Sequence, residues 1–301
     1  MKRYKNVAII LGLSPEDPAA IRWTSTISKL AESERVTFIH PIEVPEIPDK
    51  AKQKYPWLVE PLDKQITSEM KAVVEAHWDG FSGTELVYEV LDHKSPVLAV
   101  LKYTVSSQCD LVIVDQRGFG HDMAIRLARK APCSVMIIPD GNDNGLERIL
   151  VPTDFSEYSA NALDVATAFA SAEEISAIDC IHVYDVGFQA HRAAVPKEEL
   201  QKMALEYAQE KHAEFTTHCD NKGVSVNMKY VHSPSMVDAV IREVNVLKSD
   251  LVVVGCRGKG TVAALLLGSN AEELLRKSPV PVIAAKSKGS GLQLINALLS
   301  D

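Results

Sequence analysis

The chemistry suggested first by the chain lies in three glycines and the polar residues between them. Gly255, Gly258 and Gly268 fall in Gly255-Cys256-Arg257-Gly258-Lys259-Gly260-Thr261, running on to Gly268-Ser269-Asn270, with two and nine residues between them. Glycine permits positive φ and lets backbone N–H groups approach an anion closely. A helix opening near Asn270 would turn its N–H groups and its dipole on the same anion. The pattern therefore suits a phosphate cradle, with two ordinary strand–helix turns built on glycine as the alternative. Arg257 and Lys259 flank it and could neutralise phosphate charge, although Arg117 repeats Arg257 elsewhere, so a structural role is an equal reading. Cys256 sits in the turn, where N–H groups could lower its pKa and make it a redox switch. An inert small residue is the better reading of it.

The rest of the chain adds little catalytic equipment. His182 falls within an apolar strand and reads as a core residue, not a metal ligand, and His212 and His218 would not share a helix face. There is no H-E-x-x-H, no G-x-S-x-G and no G-x-x-x-x-G-K-[ST]. Rapid phosphoryl transfer is thus unsupported, while slow hydrolysis or autophosphorylation stays open.

Such a cradle must be positioned by strands and helices, and the elements can be read in order. Residues 7–13 form a continuous apolar run and read as a strand, 19–32 as a helix and 36–40 as a strand. The proline-rich 41–61 reads as a loop with a short helical turn. Helix 62–77, a strand ending at 90, helix 97–107, strand 111–114, helix 123–130 and strand 134–138 follow. After a polar, turn-forming run at 141–145 the order repeats. Strand 148–152 leads to helix 157–171 behind an N-cap at Ser156. Strand 177–184, helix 196–221, strand 224–231 and helix 235–247 come next, then strand 251–254, short helix 262–267, helix 270–277 and strand 280–285. Strand alternating with helix predicts α/β architecture with a parallel sheet.

The repeat is visible in letters. Cys109 to Gly120 matches Ser249 to Gly260 at an offset of 140 positions, and Arg129 to Val135 matches Arg276 to Val282 at 147. The first half therefore lacks seven residues around the place of Leu266-Leu267-Gly268-Ser269-Asn270, and Asp115 stands where Gly255 would. A carboxylate there repels phosphate and crowds its approach. The expectation is two domains of one fold with a single nucleotide site, in the second.

Bulk properties narrow the classes. A chain of 301 residues accommodates about two domains. Net charge is −8, with 40 acidic against 32 basic side chains, which argues against nucleic acid or anionic membrane as partners. Five scattered cysteines without a C-x-x-C pair suit a reducing cytoplasm. The basic start before residues 7–11 reads as a first strand, not a signal peptide, and no run approaches the ~18 apolar residues of a membrane span.

Arg148-Ile149-Leu150-Val151-Pro152-Thr153-Asp154-Phe155-Ser156, taken with the glycine pattern, resembles the universal stress protein family, and the whole chain resembles its tandem form. The resemblance implies two tandem open parallel five-stranded sheets flanked by helices, Rossmann-like and of the adenine-nucleotide α-hydrolase type. They would pack as a pseudo-dimer with strands 134–138 and 280–285 together. The domains would be 1–140 and 147–288, joined by a linker at 141–146, with a tail at 289–301 whose residues 292–299 could form a docking helix. It implies ATP as ligand, with AMP or ADP as alternatives and Mg²⁺ as a companion. Pro152, Thr153 and Asp154 would meet the adenosine part and the Val183 backbone the adenine. Gly255, Arg257, Gly258, Gly268, Ser269 and Asn270 would meet the phosphates. Asp154 and Ser269 could instead serve as helix caps. The implied role is a cytoplasmic stress-response module, non-catalytic, with a further homodimer and an unnamed protein partner. A slow ATPase and a nucleotide-free dimerisation module are the alternatives.

Overall fold

The computed structural model describes residues 3–44, 50, 54–55, 63–118, 120–142, 145–186, 195–217, 219–257 and 267–287. The expectations for most of 41–61, for helix 262–267 (except Leu267), for Gly258 and Lys259, and for the tail at 292–299 lie outside the described residues.

The first half runs β1 (Asn6–Ile10), α1 (Asp17–Ala31), β2 (Arg35–Glu43), α2 (Asp63–His77), β3 (Glu85–His93), α3 (Pro96–Ser106), β4 (Leu111–Asp115), α4 (His121–Lys130) and β5 (Ser134–Ile138). The second half runs β6 (Ile149–Pro152), α5 (Glu157–Ala172), β7 (Ala177–Tyr184), α6 (Lys197–Thr216), β8 (Ser225–His232), α7 (Met236–Leu247), β9 (Leu251–Gly255), α8 (Ser269–Lys277) and β10 (Val282–Ala285).

The two sheets merge into one. Ten strands lie in the order β3-β2-β1-β4-β5-β10-β9-β6-β7-β8. Each half is parallel within itself, and the halves join antiparallel, with Val135, Met136 and Ile137 opposite Ala284, Ile283 and Val282. Sequence composition places the strands. Those near the seam, β4, β5, β9 and β10, are buried along their whole length, as continuous apolar runs covered on both faces must be. The outer β8 alternates exposed and half-buried residues. Each apolar layer spans both halves. Val7, Ile9, Leu251 and Val253 share one face, and Ala8, Ile10, Val252 and Val254 the other.

The seam carries its own polar contacts. Ser134 Oγ accepts from Tyr4 Oη at 3.2 Å and from the Lys286 N–H at 3.0 Å. Lys286 is buried, and its Nζ donates to the carbonyls of Ala128 and Ala131, both at 2.8 Å, closing the C-terminal end of α4. Burial holds its pKa below the usual lysine value.

The halves repeat one another in detail. Asp110 Oδ2 accepts the Lys5 and Asn6 N–H groups at 3.0 Å, as Asp250 Oδ2 accepts those of Glu147 and Arg148 at 3.0 and 2.9 Å. His40 and His182 each donate Nδ1–H to the carbonyl after the first strand, of Leu11 at 2.9 Å and of Thr153 at 2.8 Å.

Candidate functional site

The second half builds its site from two turns at the carboxyl end of the sheet. The first follows β6. Ser156 caps α5, its Oγ accepting the Ser159 N–H at 3.3 Å, as expected for a serine before an apolar helix. Asp154 Oδ1 accepts from Ser156 N at 3.1 Å, Ser156 Oγ at 2.6 Å and Ser159 Oγ at 2.5 Å. Asp154 therefore supports the helix start, and the capping role weighed for it is present in this form. Thr153 Oγ1 accepts the Phe155 N–H at 3.1 Å, and Phe155 holds φ at +61°. That conformation lays its ring over His182, with centroids 4.4 Å apart. Since a carbonyl only accepts, the bond to Thr153 places a proton on His182 Nδ1. The histidine is a half-buried turn brace and not the core residue that its place in a strand suggests.

The second turn follows β9. A Cβ on Gly255 would lie 2.7 Å from the Tyr158 backbone, so α5 packs directly on this glycine. Gly255 is thus required by close helix packing, a cause the phosphate pattern alone does not contain. Arg257 lies over the Tyr158 ring at 5.5 Å, its Nη1 donating to Tyr158 Oη at 3.3 Å. Burial pushes the Cys256 thiol pKa up, which contradicts a lowered, redox-ready thiol and fits the inert reading. The Gly268 N–H returns to Cys256 O at 2.8 Å. Helix α8 begins at Ser269, one residue earlier than expected. This makes Gly268 the N-cap instead of Ser269, with no side-chain cap bond. Helix geometry leaves its first N–H groups without carbonyl partners in the helix.

Between the turns lies a cavity of about 310 Å³. Pro152, Thr153, Asp154, Val183, Gly255, Arg257, Gly268, Ser269 and Asn270 all line it, which brings every described candidate residue together. Ile181, Met236, Val254, Ser159 and Ala271 line it too and were not anticipated. Ser159 was within reach of sequence reasoning, because it stands three residues after the cap Ser156. The apolar contributions, from Ile181, Val183, Met236 and Val254, adjoin a polar set headed by Asp154 and an amide-rich set headed by Arg257 and the α8 terminus. Such a cavity suits a small molecule with an apolar ring and an anionic tail. Among the described residues no cluster of three or more His, Cys, Asp or Glu side chains could hold a metal ion.

The corresponding region of the first half is filled by its own carboxylates. Asp115 Oδ1 accepts the N–H groups of Arg117 at 2.8 Å and Gly118 at 2.6 Å, taking the backbone donors an anion would use. Asp17, in the place of Ser159, reaches back from α1 and accepts the Gly12 N–H at 3.1 Å and the Ser14 N–H at 3.2 Å. Gly12 presses onto Gly118, where a Cβ would come within 2.5 Å of the carbonyl oxygen. Both aspartates are buried, at 0% and 1% exposure, and burial raises both pKa values. Arg117, the counterpart of Arg257, pairs with Asp140 at 2.7 Å and Glu16 at 3.4 Å.

A family model described as the universal stress protein family matches residues 3–139 and again 145–286. A universal stress protein of Methanocaldococcus jannaschii is 28% identical over 163 residues, covering 54% of this chain and 94% of that protein. A stretch of 65 residues, 22% of the chain, is 35% identical to an uncharacterized Schizosaccharomyces pombe protein but spans only 11% of its length. The crystal structure of a universal stress protein from Archaeoglobus fulgidus superposes with a TM-score of 0.60 at 18% identity, covering 94% of this chain and 97% of that one. A universal stress protein crystallised in complex with cAMP is 28% identical over 48% of this chain and 99% of its own, with a TM-score of 0.35. No helix among the described residues is long and apolar enough to cross a membrane.

Proposed function

The chain belongs to the universal stress protein family, and from that premise we propose that it binds an adenosine nucleotide, ATP foremost, in the second half only. The observation that carries this is the contrast between the halves. One end of the sheet leaves a cavity of about 310 Å³ between Asp154 and the uncapped α8 terminus. The other end puts Asp115 and Asp17 onto the equivalent turn amides.

In this reading Thr153, Asp154 and Ser159 receive the ribose and ring edge, and Val183 and Met236 flank the adenine. Arg257, Gly268, Ser269 and Asn270 take the phosphates, with Gly258 between them in sequence. AMP and ADP fill the same site with fewer anionic contacts, and Mg²⁺ would accompany the triphosphate. The protein acts as a cytoplasmic stress-response module whose bound nucleotide orders the cradle and alters the surface shown to a partner, because a ligand shifts only those equilibria it binds differentially. The domains would divide at 1–140 and 147–288, the first completing an intramolecular pseudo-dimer, with self-association into a homodimer as a further step. Binding is favoured over turnover by the described lining, where the one carboxylate, Asp154, already accepts three hydrogen bonds and no lysine or histidine side chain contributes.

Calorimetric titration of ATP with Mg²⁺ tests the reading, beside mass spectrometry of small molecules released from freshly purified protein. One nucleotide per chain is expected, reduced by Gly268→Val or Asp154→Ala. Two per chain, or none, overturns it. Steady turnover abolished by Gly268→Val would favour a slow ATPase.

A further inference from the structure

The seam between the halves sets a charge pair directly behind the α8 terminus. Glu272 stands in the first turn of α8, its N–H closing onto Gly268 O at 2.9 Å. Its carboxylate is gripped by both arms of Arg129, from α4 of the other half. Arg129 Nε meets Oε2 and Nη2 meets Oε1, each at 2.6 Å. Arg276 Nε adds a longer contact to Oε1 at 3.3 Å. The Glu272 side chain is only 18% exposed, against 48% for Arg129. The Arg129 guanidinium holds the Glu272 pKa below the usual carboxylate value, so it is an anion at neutral pH.

A carboxylate in a first turn is favourable to the helix itself. It is unfavourable to a second anion using the same terminus. At a rise of about 1.5 Å per residue, Glu272 lies roughly 5 Å along the axis from Ser269. Without a counter-charge it would oppose any polyphosphate docked on Gly268, Ser269 and Asn270. Arg276 alone is a poor substitute, because it also reaches Asp122 Oδ1 at 3.4 Å.

We propose that Arg129, a residue of the half whose equivalent turn amides are taken by Asp115 and Asp17, is a positioning residue for the anionic end of the ligand, acting through Glu272. It cancels the glutamate charge and fixes the α8 terminus while remaining on the far side of the seam. This inference rests on the nucleotide reading of the cavity. It gives the first half a part in binding that its own filled turn does not provide.

The experiment titrates ATP, AMP and adenosine into the wild type, Arg129→Ala, Arg129→Lys, Glu272→Gln and the double variant Arg129→Ala/Glu272→Gln, after a melting curve for each. Arg129→Ala should weaken ATP roughly three- to tenfold, AMP less, and adenosine not at all, with the loss shrinking as salt rises. Arg129→Lys should lose less. Glu272→Gln should bind ATP at least as tightly as wild type, and the double variant should recover to within about twofold of Glu272→Gln, since removing the acid removes the need for its counter-charge. Equal loss of ATP and adenosine, unchanged ATP affinity in Arg129→Ala, or failure of the double variant to recover overturns the inference while leaving the cavity reading intact. A wild type that binds neither ATP nor adenosine overturns the cavity reading itself. Should Arg129→Ala not fold, Glu272→Gln decides alone, and weaker ATP binding there is the contrary result.

Discussion

Ser159 and Asp154 bond to each other reciprocally: Ser159 Oγ donates to Asp154 Oδ1 at 2.5 Å and accepts the Asp154 N–H at 3.1 Å. The side chain expected to meet the ligand is therefore also the one that shapes its turn. Asp154→Ala should reduce stability by about 1–2 kcal/mol in the absence of nucleotide, through loss of cap and turn bonds. It should weaken ATP by more than roughly tenfold, the scale of one lost charge-assisted contact. Chemical denaturation and calorimetry separate the two effects. A variant as stable as wild type would show that the turn does not depend on this carboxylate.

Gly255→Ala should reduce stability by about 1–3 kcal/mol, because the new Cβ has only the Tyr158 backbone to meet and α5 must move. The effect should appear in the apo protein as a lowered denaturation midpoint. If stability held and only nucleotide affinity fell, the glycine would be required by the ligand instead of by the helix.

Burial raises the Asp17 and Asp115 carboxyls above their ordinary 3.8. Acids with raised native pKa values bind protons more tightly when folded. The stability they contribute therefore falls as pH climbs from about 3.8 through the raised native values. Asp115→Asn keeps an acceptor oxygen for Arg117 and Gly118 and removes one of these ionisations. Its profile of stability against pH should be flatter in that window than that of wild type, with no more than about 1 kcal/mol lost at neutral pH. A steeper profile would contradict the assignment.

His212 responds in the opposite direction. Its Nδ1 lies 2.7 Å from Tyr230 Oη and its ring stacks near Phe155 at 5.9 Å, and burial lowers its pKa below 6.5. A depressed native pKa means the contribution is complete above about pH 6.5 and is lost as pH falls toward the native value. His212→Phe keeps the stacking and removes the titration, so melting curves between pH 7.5 and 5 should converge on those of wild type as acid is added. Parallel curves would show that the titration lies elsewhere.

Local signals specify much of the fold. The apolar runs of β4, β5 and β9 and the Ser156 cap are written in adjacent residues, and each appears where expected. Pro41 does not end β2. The expected strand ends at 40, yet β2 continues to Glu43 with Pro41 opposite Leu91, since proline's fixed φ is compatible with an extended chain. The first strand ends at Ile10, short of the expected 13, where Leu13 takes φ +54° and Asp17 draws the turn back on itself. The return of Asp17 to Gly12, and the contact of Tyr158 with Gly255, join residues from separate elements. No pattern along the chain announces such meetings. The meeting of strands 134–138 and 280–285 follows what the family resemblance implies, and only the register and antiparallel sense of that joint come from the structure.

The seam of β5 on β10 has a stoichiometric consequence. Both of its edges come from one polypeptide, so each translated chain brings one open lobe and one filled lobe, already married. Two open lobes cannot pair through this ladder, and neither can two filled ones. Among the described residues the sheet's remaining margins are β3 and β8. Any second molecule that adds to the sheet must approach at one of those outer rims, far from the joint that couples the lobes.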